Sequence, residues 1–261
     1  MINQGKYKIL ENMVSACDYE YILSKIQKAI TYKRALLISP IASQTLVIAQ
    51  GDKKVKKALA TFDYLVPDSF WVMKSLNWLH ETNLKERVYG PDLMLKTCAF
   101  AQKNSIYVFL YGTNAQTLVL LKKKLIRLFP RLKIAGTEPS QYKMLNKNDL
   151  YRLGQKINYS KPNILFVALG SPLQEVVSSQ LKPLLDPLVI IPVGAAFDFI
   201  SGVKKQAPRW MQKIGLEWLF RLLSEPKRLW KRYVYYGTYY ALTLADQLFI
   251  ARTNKPLNNA S

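Results

Sequence analysis

Asp68 stands in Pro67-Asp68-Ser69, just past the apolar run at 64–67 (YLVP) and immediately before Phe70 and Trp71. A carboxylate in apolar surroundings ionises less readily, which brings it towards the range of a general base. The same Pro-Asp-Ser ahead of an apolar run also suits helix N-capping. Arg87 and Asp92, within ERVYGPDLM, pose a similar choice. A guanidinium there could hold a phosphate or a sugar, and Asp92 could cap the helix that begins at Leu93. Three glycine-bearing turns follow apolar runs: Gly112-Thr113-Asn114, Gly170-Ser171-Pro172-Leu173-Gln174-Glu175, and Gly194-Ala195-Ala196. Each could present backbone amides to a phosphate, or could be a plain strand-to-helix turn with Thr113 or Asn114 as cap. Three such turns on one sheet edge favour a nucleotide site, with Pro172 starting a helix and Gln174 and Glu175 projecting from its first turn.

A second kind of chemistry lies in residues 202–233, GVKKQAPRWMQKIGLEWLFRLLSEPKRLWKRY. Nine Lys and Arg, among them Arg221, Arg228, Lys231 and Arg232, face only Glu217 and Glu225 and are interleaved with Trp and Leu. Such a segment fits an anionic lipid surface or a diphosphate, or else an amphipathic helix with a solvated basic face. Arg221, Arg228 and Lys231, spaced seven and three apart, would share one face of a continuous helix, although Pro226 interrupts it. The run 233–251 is rich in Tyr but broken by Gly237, Thr238, Thr243, Asp246 and Gln247. An interfacial helix is therefore expected in preference to a spanning one, packing on the protein's own core being the alternative.

The elements that must position these residues alternate along the chain. Apolar runs at 35–41, 64–67, 106–112, 132–135, 164–170 and 188–193 predict buried strands. Patterns at 44–61, 93–103, 115–129, 147–158 and 173–184 predict helices between them. Strands apolar throughout and separated by helices imply an α/β fold, a Rossmann-like parallel sheet with helices on both faces. In such folds ligands sit at the carboxyl ends of the strands, where Asp68 and the glycine turns fall. The expected organisation is a core over 1–203, a basic aromatic helical appendage over 204–252 and a frayed tail over 253–261.

Composition narrows the classes. The 261 residues carry 38 Lys and Arg against 17 Asp and Glu, a formal charge of +21, which calls for an anionic partner. Cys17 and Cys98 lack metal or disulfide spacing, and a single histidine, His80, excludes a His-based metal cluster. In WLHET His80 reads as a surface helix residue. The N-terminus has no apolar signal-peptide core, so a cytoplasmic location is expected. No DxD occurs, so no metal or other cofactor is expected. A nucleic-acid-binding protein would also explain the charge, but no nucleic-acid module is recognisable and the aromatics cluster with Leu. A non-catalytic scaffold is a further alternative, against which stand Asp68 and the GSPLQE motif.

In order, PDS at 67–69, ERVYGPDLM at 86–94, FLYGT at 109–113, LGSPLQE at 169–175, VGAAFDFISG at 193–202 and QAPRWMQKIGLEWLFRLLSEPKRLWKRY at 206–233 resemble the WecG/TagA/CpsF glycosyltransferases. The likeness is collinear from about Leu36 to Tyr233. It implies inverting, metal-independent transfer from a UDP-sugar to a polyprenyl-diphosphate-linked saccharide for a cell-surface polymer. The sugar would be N-acetylmannosamine, its uronic acid or glucose. The resemblance further implies a peripheral enzyme on the cytoplasmic face of the plasma membrane, its appendage docked on an anionic membrane surface; a homo-oligomer is compatible with it. By position it casts Asp68 as catalytic base, Ser39 and Arg87 as active-site residues, Gln174 as the motif glutamine, and Arg221, Arg228 and Lys231 as partners of the diphosphate. The chain departs from the family pattern at Ser69, where glycine is usual, at SPIASQ, which lacks an Asn, and at Gln206, where Arg is usual.

Overall fold

The computed structural model describes residues 1–140 and 143–253. Its strands are β1 (Asn3–Ile9), β2 (Asn12–Cys17), β3 (Leu36–Ile41), β4 (Tyr64–Pro67), β5 (Tyr107–Gly112), β6 (Lys133–Glu138), β7 (Ile164–Ala168) and β8 (Val189–Pro192). They form one sheet in the order β1-β2-β4-β3-β8-β7-β5-β6. Only the β1–β2 hairpin is antiparallel; β2–β4 and the other pairs are parallel. The expected α/β architecture and all six expected strands are present, and the N-terminal hairpin is added to them.

Helices cover both faces, as parallel strands buried on both sides require. On one face lie α1 (Tyr19–Thr31), α5 (Gly90–Lys103), α6 (Ala115–Leu128) and α9 (Ala196–Ser201), packed over Ile38, Val66, Leu110 and Phe166. The other face carries α2 (Ser43–Gly51), α3 (Lys53–Ala60), α4 (Phe70–His80), α7 (Lys147–Ser160) and α8 (Leu173–Leu181) over Leu37, Leu65, Phe109 and Leu165. Consecutive strand residues thus divide between two cores, the period-2 consequence of the pleat. The single helix expected at 44–61 is two: Asp52 accepts hydrogen bonds from Lys54 N and Val55 N and so restarts the chain as α3.

The segment from 204 onwards crosses the carboxyl edge of the sheet as α10 (Arg209–Lys213), α11 (Glu217–Ser224) and α12 (Pro226–Trp230). A π turn at Lys231–Tyr235 then leads into α13 (Tyr236–Thr253), which packs on α2 and α4. Tyr240 and Leu244 of α13 are buried in the core, with Tyr240 Oη and Ser75 Oγ 2.7 Å apart. The opposite side of the same segment exposes Val234, Tyr235, Leu242 and Phe249. Among the described residues no helix is long and apolar enough to cross a membrane. Of the tail expected at 253–261, Thr253 closes α13 and 254–261 lie outside the described residues.

Both cysteines are free and buried, and burial pushes each thiol up to about 12. His80 ends α4, stacked on Tyr7 with its Nε2 3.1 Å from Lys8 O.

Candidate active site

The ends of β3, β4, β5, β7 and β8 surround a polar cavity of about 340 Å³. Asp68, Thr113, Gly170, Gln174 and Gly194 line it, so the sheet does bring the separate turns to one place. Gly170 and Gly194 have φ of +77° and +56°, values that favour glycine. Gly112 lies just below: with φ +128°, a Cβ there would stand 2.3 Å from Ala168 O, so the close approach of β5 to β7 requires glycine. Asn114 is not part of the cavity wall and caps α6, accepting a hydrogen bond from Thr117 N at 2.8 Å. Pro172 precedes α8 and is likewise not part of the cavity wall.

Ser39 and Glu175 lie behind the wall, fully buried. Ser39 Oγ donates to Glu175 Oε1 at 3.2 Å, Gln174 Nε2 donates to the same oxygen at 3.0 Å, and Ser171 Oγ donates to Oε2 at 2.7 Å. Burial raises the Glu175 pKa, and these three donors work against it. Ser39 therefore meets the site through Glu175 rather than at the cavity surface.

Asp68 is held at the mouth of β4. Its Oδ1 accepts from Gly90 N at 2.8 Å, at the start of α5. Burial raises its pKa, while Arg87 and the Gly90 hydrogen bond pull it down. N-capping of the next helix falls to Ser69, whose hydroxyl accepts from Val72 N at 3.2 Å. With φ −85°, Ser69 needs none of glycine's freedom, which explains why this departure from the family pattern is accommodated. Arg87 lies over the Tyr89 ring, 4.1 Å from its centroid, and pairs with Glu217 on α11. Tyr89 Oη donates to the other oxygen of Glu217 at 2.8 Å and accepts from Gln206 Nε2 at 3.2 Å. Gln206 thus fills its departure from the usual Arg with a neutral contact. Asp92 makes a two-point ion pair with Arg209 on α10. The sequence marked Gln206 only as a departure and Glu217 only as a counter-charge, and did not single out Tyr89; the fold joins all three in one network with Arg87.

A second cavity, of about 530 Å³, opens beside the first between α4, α11 and α13. Phe70, Trp71, Trp78, Trp218, Leu244 and Leu248 make much of its wall apolar. Asp68, Arg221 and Arg232 line both cavities. Arg221 lies 5.4 Å from the Phe199 ring, and neither it nor Arg232 has a carboxylate partner among the described residues. Burial holds the Arg232 pKa below the ordinary guanidinium value, and Arg221 and Arg228 add like-charge repulsion. Arg228 lines the polar cavity and makes two 2.6 Å hydrogen bonds to Glu225, whose pKa falls to about 2, chiefly through that contact. Lys204 bridges Glu225 and Asp198 at 3.2 Å each. Lys231 is exposed and lines neither cavity; the cation that turns inward is its neighbour Arg232. Among the described residues no group of three or more His, Cys, Asp or Glu could hold a metal ion.

A mostly parallel sheet with a polar cavity at its strand ends, a half-buried carboxylate and guanidinium groups without a carboxylate partner beside an apolar groove is an arrangement suited to binding an anionic ligand. The chain belongs to the Glycosyl transferase WecG/TagA/CpsF family, whose profile matches residues 7–254. It is 30% identical over 239 residues to an N-acetylglucosaminyldiphosphoundecaprenol N-acetyl-beta-D-mannosaminyltransferase of Bacillus subtilis (strain 168), covering 90% of this chain and 87% of that one. A protein with the same name from Bacillus spizizenii is 31% identical over 184 residues, 70% of this chain and 69% of its own. The protein is accordingly a glycosyltransferase.

Proposed function

We propose that this enzyme transfers N-acetylmannosamine, or a close relative such as its uronic acid or glucose, from a UDP-sugar to a polyprenyl-diphosphate-linked saccharide. The product would feed a bacterial cell-surface polymer. The relatives' names supply the sugar and the lipid acceptor. The observation that carries the reading is that Asp68, Arg221 and Arg232 form the partition between a polar and a largely apolar cavity. A nucleotide-sugar suits the first and the proximal part of a lipid-linked acceptor the second, so the two substrates meet at the carboxylate.

In this reading an acceptor hydroxyl gives its proton to Asp68 as its oxygen attacks the anomeric carbon. The new carbon–oxygen bond forms as the bond to the UDP phosphate breaks on the opposite side, which inverts the anomeric centre. The leaving diphosphate gathers charge, and Arg221 and Arg232, fixed in place beforehand, meet it. That charge, together with the lack of DxD, supports a metal-independent reaction. Ser39 and Arg87 act as positioning residues, Ser39 through Glu175 and Arg87 through its ion pair with Glu217. Residues 204–252 serve as the docking appendage for an anionic membrane surface on the cytoplasmic side, supported by exposed Trp210, Trp230, Tyr235 and Phe249 among its cations.

The test is UDP release from a panel of UDP-sugars with a short-chain polyprenyl-diphosphate saccharide, with EDTA present. One donor should give acceptor-dependent release that disappears in Asp68→Asn. Silence across the panel from folded protein would overturn the reading.

A further inference from the structure

Gln174 Oε1 is buried and accepts no hydrogen bond among the described residues, although Gln174 is part of the polar cavity's wall. A buried carbonyl oxygen left without a donor is unfavourable, and a donor brought by a bound molecule would satisfy it. Its orientation is fixed from behind. Glu175 Oε1 stands 3.0 Å from the amide's other end, and an acceptor at that distance admits only the NH₂ group, since two oxygens would repel. Glu175 cannot turn away, because Ser39 and Ser171 hold its two oxygens and Ser171 in turn lies 2.7 Å from Thr45 Oγ1. The amide lies against Gly194, where a Cβ would stand 3.5 Å from Oε1 and 3.6 Å from Nε2, so glycine leaves room beside it.

Gln174 also has a definite place relative to the reaction. Val193 O and Asp68 Oδ1 both border the spot where a Gly90 Cβ would stand, at 3.3 and 3.4 Å. Gly194, the next residue after Val193, faces Gln174. Gln174 and Asp68 line the same cavity, where the transferred sugar must come to the carboxylate.

We propose that Glu175 is a positioning residue that locks Gln174 as a hydrogen-bond acceptor for an O–H or N–H of the transferred sugar. This rests on the reading of the polar cavity as the UDP-sugar site. It makes the sugar contact one-directional: a ligand group able only to accept meets oxygen against oxygen. Selectivity of this kind can be large, because an analogue lacking the donor leaves the buried carbonyl unpaired.

The experiment is calorimetric titration of UDP and of the UDP-sugar that the enzyme uses, with wild type, Glu175→Gln and the exchanged pair Gln174→Glu with Glu175→Gln. In Glu175→Gln the amide at 174 can flip, and UDP-sugar binding should weaken about tenfold while UDP binding holds. The exchanged pair again has an NH₂ at 175 facing an oxygen at 174, leaves an acceptor towards the cavity, and should recover most of the loss. Analogues of the sugar lacking one hydroxyl, or carrying an ester in place of the acetamido N–H, should reproduce the tenfold loss in wild type at one position only. Equal weakening of UDP and UDP-sugar, no weakening of either, or no recovery in the folded exchanged pair would each overturn the proposal. Failure of wild type to bind any UDP compound would instead sink the donor assignment.

Discussion

At the scale of single residues, Asp68 carries two opposed demands. Burial raises its pKa, so the activity-competent carboxylate forms only above the ordinary carboxylate range. The rate should therefore climb with pH through that raised value, and Asp68→Asn should lose about 10²–10⁴-fold in kcat together with the limb itself. Stability runs the other way. A carboxyl whose pKa is raised in the folded state binds its proton more tightly there, so its ionisation above that value costs stability. Asp68→Asn should accordingly melt higher than wild type at neutral pH, a result that scanning calorimetry can check. Arg232 supplies a second contrast. Losing its charge at the partition should reduce kcat/KM about 10–100-fold in Arg232→Gln, whereas the exposed Lys231→Gln should stay near wild type. The sequence singled out Lys231 whereas Arg232 is the one that lines the cavities, and the difference has a physical reason. Positions 228, 231 and 232 share a face on a regular helix, and the π turn that begins at Lys231 decides which of the last two turns inward.

At the scale of elements, the β/α alternation was legible because parallel strands buried on both faces are apolar throughout. The β1–β2 hairpin was not, since six residues of β1 are exposed or half-exposed and show no apolar run. The break between α2 and α3 was visible in Gly51-Asp52 to anyone reading caps rather than periodicity. Contacts such as Arg87 with Glu217 join residues 130 apart, and no local pattern encodes them. Helix α13 shows both of the fates open to a Tyr-rich segment: one side packs on the core and the other stays exposed. Its anchorage can be measured. Leu244 is 6% exposed, and Leu244→Ala should cost about 2–5 kcal/mol. Hydrogen exchange should then quicken first across residues 236–253 and the facing turns of α4, before the strands are affected.

For the whole molecule, a charge of +21 acts as a field as well as a set of contacts. If residues 204–252 dock on an anionic bilayer, each basic side chain near the surface adds roughly 1 kcal/mol. Co-sedimentation with phosphatidylglycerol vesicles should fall steeply between low and high salt. Neutral phosphatidylcholine vesicles should retain little protein at any salt. Binding independent of salt and lipid charge would count against the docking role. Arg221 and Arg232, which line both cavities, follow every strand of the sheet in the chain. During synthesis Asp68 and the glycine turns therefore emerge before the guanidinium groups that stand beside them in the folded protein.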